Sequence, residues 1–192
     1  MRLFVAVEIE PGLASAAAAL IGELRARAGR LAPRARITWV TPERLHVTLA
    51  FIGNADQARS ETICGVLAPA VAVPPFRLTA AGAGAFPKSG QPRVLWAGLT
   101  SGADRLRQLE REVSSRLAAA GVTPEPRAFN PHLTLARVRE AAGLRAGPLF
   151  DGLDGDVIGA TGVEAITLFD SRLSSKGPTY VPLLRAPLAA RA

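Results

Sequence analysis

Two short blocks of this chain bring together residue types that move protons and hold anions. His46-Val-Thr-Leu-Ala-Phe51 and His132-Leu-Thr-Leu-Ala-Arg137 are identical at four of six positions, and they contain both histidines of the sequence. Side chains alternate across a strand, so residues i and i+2 share a face. His46 and Thr48 therefore point one way, and Val47 and Leu49 the other; the same holds for His132 and Thr134 against Leu133 and Leu135. If the two strands face each other, two imidazoles and two hydroxyls surround one point. That set suits displacement at a phosphodiester, which needs a base for the incoming nucleophile and an acid for the oxygen that leaves. Histidine serves either role near neutral pH, and the threonine hydroxyls can hold the non-bridging oxygens. The near symmetry of the blocks leaves acid and base interchangeable. Two histidines with no cysteine or carboxylate at ligand spacing make a poor metal site, so no metal and no cofactor is expected.

The elements that must position these blocks are legible from periodicity. Strands are expected over Arg2–Glu10, Ile37–Val40, His46–Ile52, Phe76–Phe86, Arg93–Leu99, His132–Val138, Val163–Phe169 and Tyr180–Leu184. Helices are expected over Gly12–Gly29, from Ala55 to about Val71, and over Gly102–Gly121, where Leu106, Leu109, Val113 and Leu117 form one face. Loops are expected at Pro87–Pro92 and Ser174–Pro178. Each histidine block follows a strand and a long helix, and each precedes a loop lysine at a similar offset, 88 − 46 = 42 and 176 − 132 = 44. A repeat of that length predicts a duplicated α+β lobe rather than an array. The expected fold is α+β, bilobal, with two mostly antiparallel sheets, flanking helices, a pseudo-two-fold axis and a central cleft. One domain over 1–192 is expected, with two intertwined lobes and the motifs at 46–49 and 132–135.

Composition narrows the partners. The chain has 192 residues, 48% of them hydrophobic and 20% charged, which excludes a disordered polymer. Its net charge of +7 favours anionic partners. One cysteine, Cys64, excludes an internal disulfide and reads as a core residue. The apolar run after Arg2 is cut short by Glu8 and Glu10, and the uncharged stretch from Thr62 to Phe76 carries three prolines, so neither a signal peptide nor a membrane span is expected. A cytoplasmic monomer is the expectation.

The paired blocks resemble the 2H phosphoesterase superfamily, and within it the bacterial and archaeal RNA 2′,3′-cyclic phosphodiesterases, also called 2′-5′ RNA ligases. Arg2-Leu-Phe-Val-Ala-Val7, His46 to Gly53, Phe129 to Arg137 and Ser171 to Tyr180 all carry the resemblance, which covers nearly the whole chain. It implies metal-independent hydrolysis of an RNA 2′,3′-cyclic phosphate end to a 2′-phosphomonoester, with 2′-5′ ligation as the reverse. It implies that His46 is the proton donor, His132 the proton acceptor, Thr48 and Thr134 phosphate ligands, and Arg137 a cation for the charged transition state. Arg137 lies five residues after His132, so a regular strand would aim it away from the cleft. A bulge, an early end of the strand near Ala136 or a reach around the rim would be needed.

Further candidates are weaker. Arg25, Arg27, Arg30, Arg34 and Arg36 either track an RNA backbone or form a solvated helix end and loop. Phe51, Phe129 and Trp39 can stack on a base or pack in the core, with Phe129 the preferred base contact. Lys88 and Lys176 either rim the cleft or are ordinary loop lysines. Two other functions compete with RNA hydrolysis: a phosphodiesterase for a small cyclic phosphate such as an ADP-ribose derivative, and a non-catalytic nucleotide- or RNA-binding module. Two proton-transfer groups are superfluous in a pure binder.

Overall fold

The computed structural model describes residues 1–122, 128–174 and 177–190. Strand β1 (Arg2–Glu8) opens the chain and is buried on both faces: Leu3, Val5 and Val7 enter the main core, while Phe4 and Ala6 join a separate small cluster. Proline in the first turn starts α1 (Pro11–Leu31), whose buried Leu13, Ala17, Ile21, Leu24 and Ala28 recur every three or four residues. Strand β2 (Arg36–Trp39) and a 3-10 turn at Pro42–Arg44 lead into β3 (His46–Asn54). Helix α2 (Gln57–Leu67) follows, capped by the Asp56 carboxylate, which accepts from the Arg59 backbone N–H at 2.8 Å.

Strands β4 (Phe76–Phe86) and β5 (Val94–Leu99) precede α3 (Ala103–Ala119), with Leu106, Leu109, Val113 and Leu117 buried as their spacing predicts. Strand β6 (His132–Glu140) carries the second motif. The remainder is α4 (Ala146–Phe150), β7 (Val157–Val163), β8 (Ala165–Ser174) and β9 (Gly177–Pro187).

All strand pairing within the two sheets is antiparallel. One sheet has the order β3-β1-β8-β9 and the other β2-β6-β5-β4-β7. The helices are exchanged between them. Helix α1 follows a strand of the four-stranded sheet yet packs on β7 of the five-stranded one, whereas α3 follows β5 and packs on β3. One hydrophobic core runs through both sheets and all four helices. No helix among the described residues is long and apolar enough to cross a membrane.

Several expectations need correction. Strand β1 stops at Glu8, two residues early, because α1 begins at Pro11. Helix α2 is shorter at both ends: Asp56 is its N-cap, and its C-cap Ala68 is followed by Pro69, which has no backbone N–H to carry the helical bonding on. Helix α4 and strand β7 are additional to the expected elements; β7 contains Gly159 and Gly162, which weaken any strand signal in Val157–Val163. The expected loop at Ser174–Pro178 is narrower, since β8 reaches Ser174 and β9 begins at Gly177. Lys176 lies outside the described residues.

Candidate active site

His46 opens β3 and His132 opens β6, and these two strands, one from each sheet, come into contact. Both histidines are held the same way. The Nδ1–H of His46 donates to the Arg44 carbonyl at 2.7 Å, and that of His132 to the Asn130 carbonyl at 2.7 Å. A carbonyl can only accept, so the bond assigns the tautomer: Nδ1 carries hydrogen and Nε2 is left for chemistry. Each carbonyl lies two residues before its histidine, so the segment entering each strand orients the ring locally.

Rings from distant strands complete the surroundings. His46 lies 5.0 Å from the Phe4 ring and meets Tyr180 edge-on at 5.2 Å. Phe4 in turn contacts Phe51, Phe169 and Tyr180. On the other sheet, Phe86 meets His132 edge-on at 5.2 Å and packs on Trp96 at the same distance. Trp96 lies beside Thr134 and over Gly84, where a Cβ would come within 2.5 Å of the indole. The Trp96 Nε1–H is buried with no hydrogen-bond partner among the described residues. Next to His46 an open cavity of about 670 Å³ is lined by Glu8, Arg44, Phe169, Tyr180 and Pro182 among others. Glu8, opposite His46, is steadied by the Thr167 hydroxyl, which donates to its carboxylate at 2.8 Å.

Arg137 faces the same way as the histidines because β6 bulges. Trp96 pairs with Thr134 and its neighbour Leu95 with Ala136, so Leu135 is the extra residue. Leu135 and Ala136 are both buried, and exposure returns at Arg137. The odd offset from His132 is thereby reset, as a bulge does. The same event occurs in β3: Ala6 pairs with Thr48 and Val5 with Ala50, leaving Leu49 extra, and Phe51 emerges exposed.

The electrostatics place the three charged partners close together. Burial is the main cause that holds the His46 pKa below the ordinary imidazole value, and the positive charges of Arg137 and His132 depress it further. His132 is depressed first by burial and then by Arg137, against the Asn130 carbonyl, which pulls the other way. The Tyr180 hydroxyl is pushed up by its own burial, opposed by Arg137, Arg44 and Arg2. A proton on His132 makes a proton on His46 less favourable, so the two titrate as a coupled pair.

The structure thus brings together His46, Thr48, His132, Thr134 and Arg137. Phe129 is half-buried and packs against the main core. Phe51, not Phe129, presents an exposed ring on the histidine face. The arginine stretch is largely engaged within the protein. Arg25 lies 5.8 Å over the Trp39 ring, Arg27 bonds the Leu149 and Asp151 carbonyls, and Arg36 pairs with Glu140 at 2.9 Å. Lys88 is exposed in the loop after Phe86. Sequence reasoning misses the places of Phe4, Phe86, Trp96, Phe169 and Tyr180 around the histidines, because nothing local ties these rings to the motifs. Among the described residues no three metal-ligating side chains converge.

The chain is similar to known proteins over most of its length. The family model described as LigT-like phosphoesterase matches residues 12–96 and 99–180. An RNA 2′,3′-cyclic phosphodiesterase from Aeropyrum pernix is 38% identical over 151 residues, which are 78% of this chain and 85% of that protein. One of the same name from Archaeoglobus fulgidus is 31% identical over 183 residues, 95% of this chain and 98% of that one. The crystal structure of Escherichia coli LigT complexed with 3′-AMP superposes with a TM-score of 0.70 at 26% identity, covering 97% of both chains. A crystal structure of a Thermus thermophilus protein gives 0.76 at 27% identity, covering 100% of both.

Proposed function

The chain belongs to the LigT-like phosphoesterase family, and on that premise we propose that it hydrolyses the 2′,3′-cyclic phosphate at the end of an RNA to a 2′-phosphomonoester. The observation that carries this reading is the matched pair of histidines. Each is pinned through Nδ1 to a backbone carbonyl 2.7 Å away, and both feel the charge of Arg137. The names of the Aeropyrum and Archaeoglobus relatives support the substrate.

In this mechanism His132 takes a proton from water through Nε2 as the water oxygen bonds to phosphorus. The bond from phosphorus to the 3′ oxygen breaks on the opposite side, and His46 gives its proton to that oxygen. The depressed pKa of His132 keeps it neutral and ready to accept. The phosphate's negative charge offsets the repulsion from Arg137 and restores a proton to His46. Thr48, Thr134 and Arg137 hold the non-bridging oxygens, where charge builds in the transition state. Phe51, exposed beside Phe4, offers a stacking face for the terminal base. Ligation is the same displacement with a 5′-hydroxyl in place of water: its oxygen bonds to phosphorus, its proton passes to His132, and the bond to the 3′ oxygen breaks; in dilute solution water is the abundant nucleophile.

The deciding assay incubates a cyclic-ended oligonucleotide with the purified protein in EDTA and resolves the products. A 2′-phosphate is expected. A 3′-phosphate, or turnover restored only by one particular divalent ion, would overturn the mechanism. Tight binding of the oligonucleotide without turnover would make the protein a binding module instead.

A further inference from the structure

The cleft face of the four-stranded sheet does not end at the histidine. Along β1 the residues on that face are Glu8 opposite His46, Ala6 opposite Thr48, Phe4 opposite Phe51 and Arg2 opposite Asn54. From Ala6 to Arg2 the strand advances about 13 Å, at about 3.3 Å per residue, which a short stretch of nucleic-acid backbone spans. There the sheet opens onto a second pocket, of about 830 Å³, lined by Arg2, Asn54, Ser171 and Arg172 with Met1, Gly53, Asp170 and Leu173.

The charges in this pocket are unbalanced. Its one carboxylate, Asp170, is buried and already occupied: it accepts from the Arg2 backbone N–H at 3.1 Å and from Arg172 Nε at 2.9 Å. The N-terminal amine is bonded to the Ala55 carbonyl. The Arg2 guanidinium has no hydrogen-bond or ion-pair partner among the described residues, and Arg172 is bound only through Nε, so the rest of its fork is free. Arg2 and the catalytic wall are electrostatically connected, since Arg2 is one of the cations acting on Tyr180, whose ring abuts His46.

We propose that this pocket is an upstream subsite, in which Arg2, assisted by Arg172 and Asn54, binds the phosphodiester on the 5′ side of the terminal cyclic nucleotide. The proposal rests on the function argued above and makes it more specific: the protein selects a chain end over a free cyclic mononucleotide. A guanidinium fork matches two phosphate oxygens at once, and a mononucleoside cyclic phosphate has no group that reaches it.

The test compares two substrates, a nucleoside 2′,3′-cyclic phosphate and an oligonucleotide with the same cyclic end, on the wild type, Arg2→Gln and Asn54→Glu. Arg2→Gln keeps the backbone N–H that Asp170 needs, and Asn54→Glu puts a negative charge into the pocket from another strand. For each variant kcat/KM on the oligonucleotide should fall roughly tenfold or more, through KM. The slope of log KM against log salt for Arg2→Gln should shrink by about 0.7 for each phosphate that the variant no longer neutralises. Turnover of the mononucleoside should stay at the wild-type rate, which also shows that the variants fold. An unchanged oligonucleotide KM, or equal losses on both substrates, would overturn the subsite while leaving hydrolysis intact. A wild-type protein that turned over neither substrate would remove the proposed function itself, and the subsite with it.

Discussion

Phe51 and Arg137 occupy equivalent places in the two halves of the site. Each lies five residues after its motif histidine, and each is returned to the histidine face by a bulge at the intervening leucine, Leu49 or Leu135. One repeat therefore presents a ring and the other a guanidinium at the same station. The duplicated motif has been divided by this single difference into a side that can stack a base and a side that can neutralise a phosphate.

Replacing either histidine with alanine is expected to abolish most turnover. Because donor and acceptor act in one step, the double variant His46→Ala/His132→Ala should be little worse than the poorer single one. Single-turnover rates on a cyclic-ended oligonucleotide measure this. Near-normal turnover in either single variant would end the two-histidine mechanism.

In the proposed mechanism the threonines contribute hydrogen bonds rather than proton transfer. Thr48→Ala and Thr134→Ala should each cost about 1.5–3 kcal/mol of transition-state stabilisation, roughly ten- to a hundredfold in kcat/KM. A loss as deep as that of the histidine variants would assign the hydroxyls a different role.

Arg137 depresses the pKa of both histidines, and in the proposed mechanism it also holds the phosphate. Arg137→Gln should therefore slow the reaction and also move the acid limb of the kcat/KM–pH profile to higher pH, because the base is protonated more easily without that charge. A profile that fell uniformly with no shift would separate Arg137 electrostatically from the pair.

The same depression has a consequence for stability. Each histidine binds its proton less readily in the native state than in the unfolded chain. Below the unfolded value of about 6.5 the unfolded chain takes up protons first, so stability is lost as pH falls from there towards the depressed native values. Urea midpoints between pH 7.5 and 5.5 should decline, and His46→Gln should reduce the decline. An equal decline in that variant would place its cause in other groups.

The parts of this architecture that depend on local pattern are legible in the sequence. Helix α3 shows its apolar stripe, and the alternation of His46 to Leu49 and His132 to Leu135 gives the correct faces. The bulges are not legible, because a strand reads as regular until its partner's register is known; only the awkward offset of Arg137 hints at one. The rings around His46 are beyond reach for a related reason. Phe4, Phe169 and Tyr180 meet through β1–β8 and β8–β9 pairing, and side-chain periodicity says nothing about which distant strands become neighbours. Strand β7 and helix α4 are hidden by glycines and by shortness.

The strand order β3-β1-β8-β9 also sets a timetable. Leu3 pairs with Asp170, so β1 waits for a strand that is synthesised much later. Until β8 arrives, one edge of β1 has no backbone partner and the apolar side of Phe4 has no cover. Tyr180, whose edge walls His46, is contributed later still, from β9. Such long-range closure is slow in folding, and here it means that a nascent chain, held among RNA while it is being made, carries both histidines long before it has a catalytic pocket.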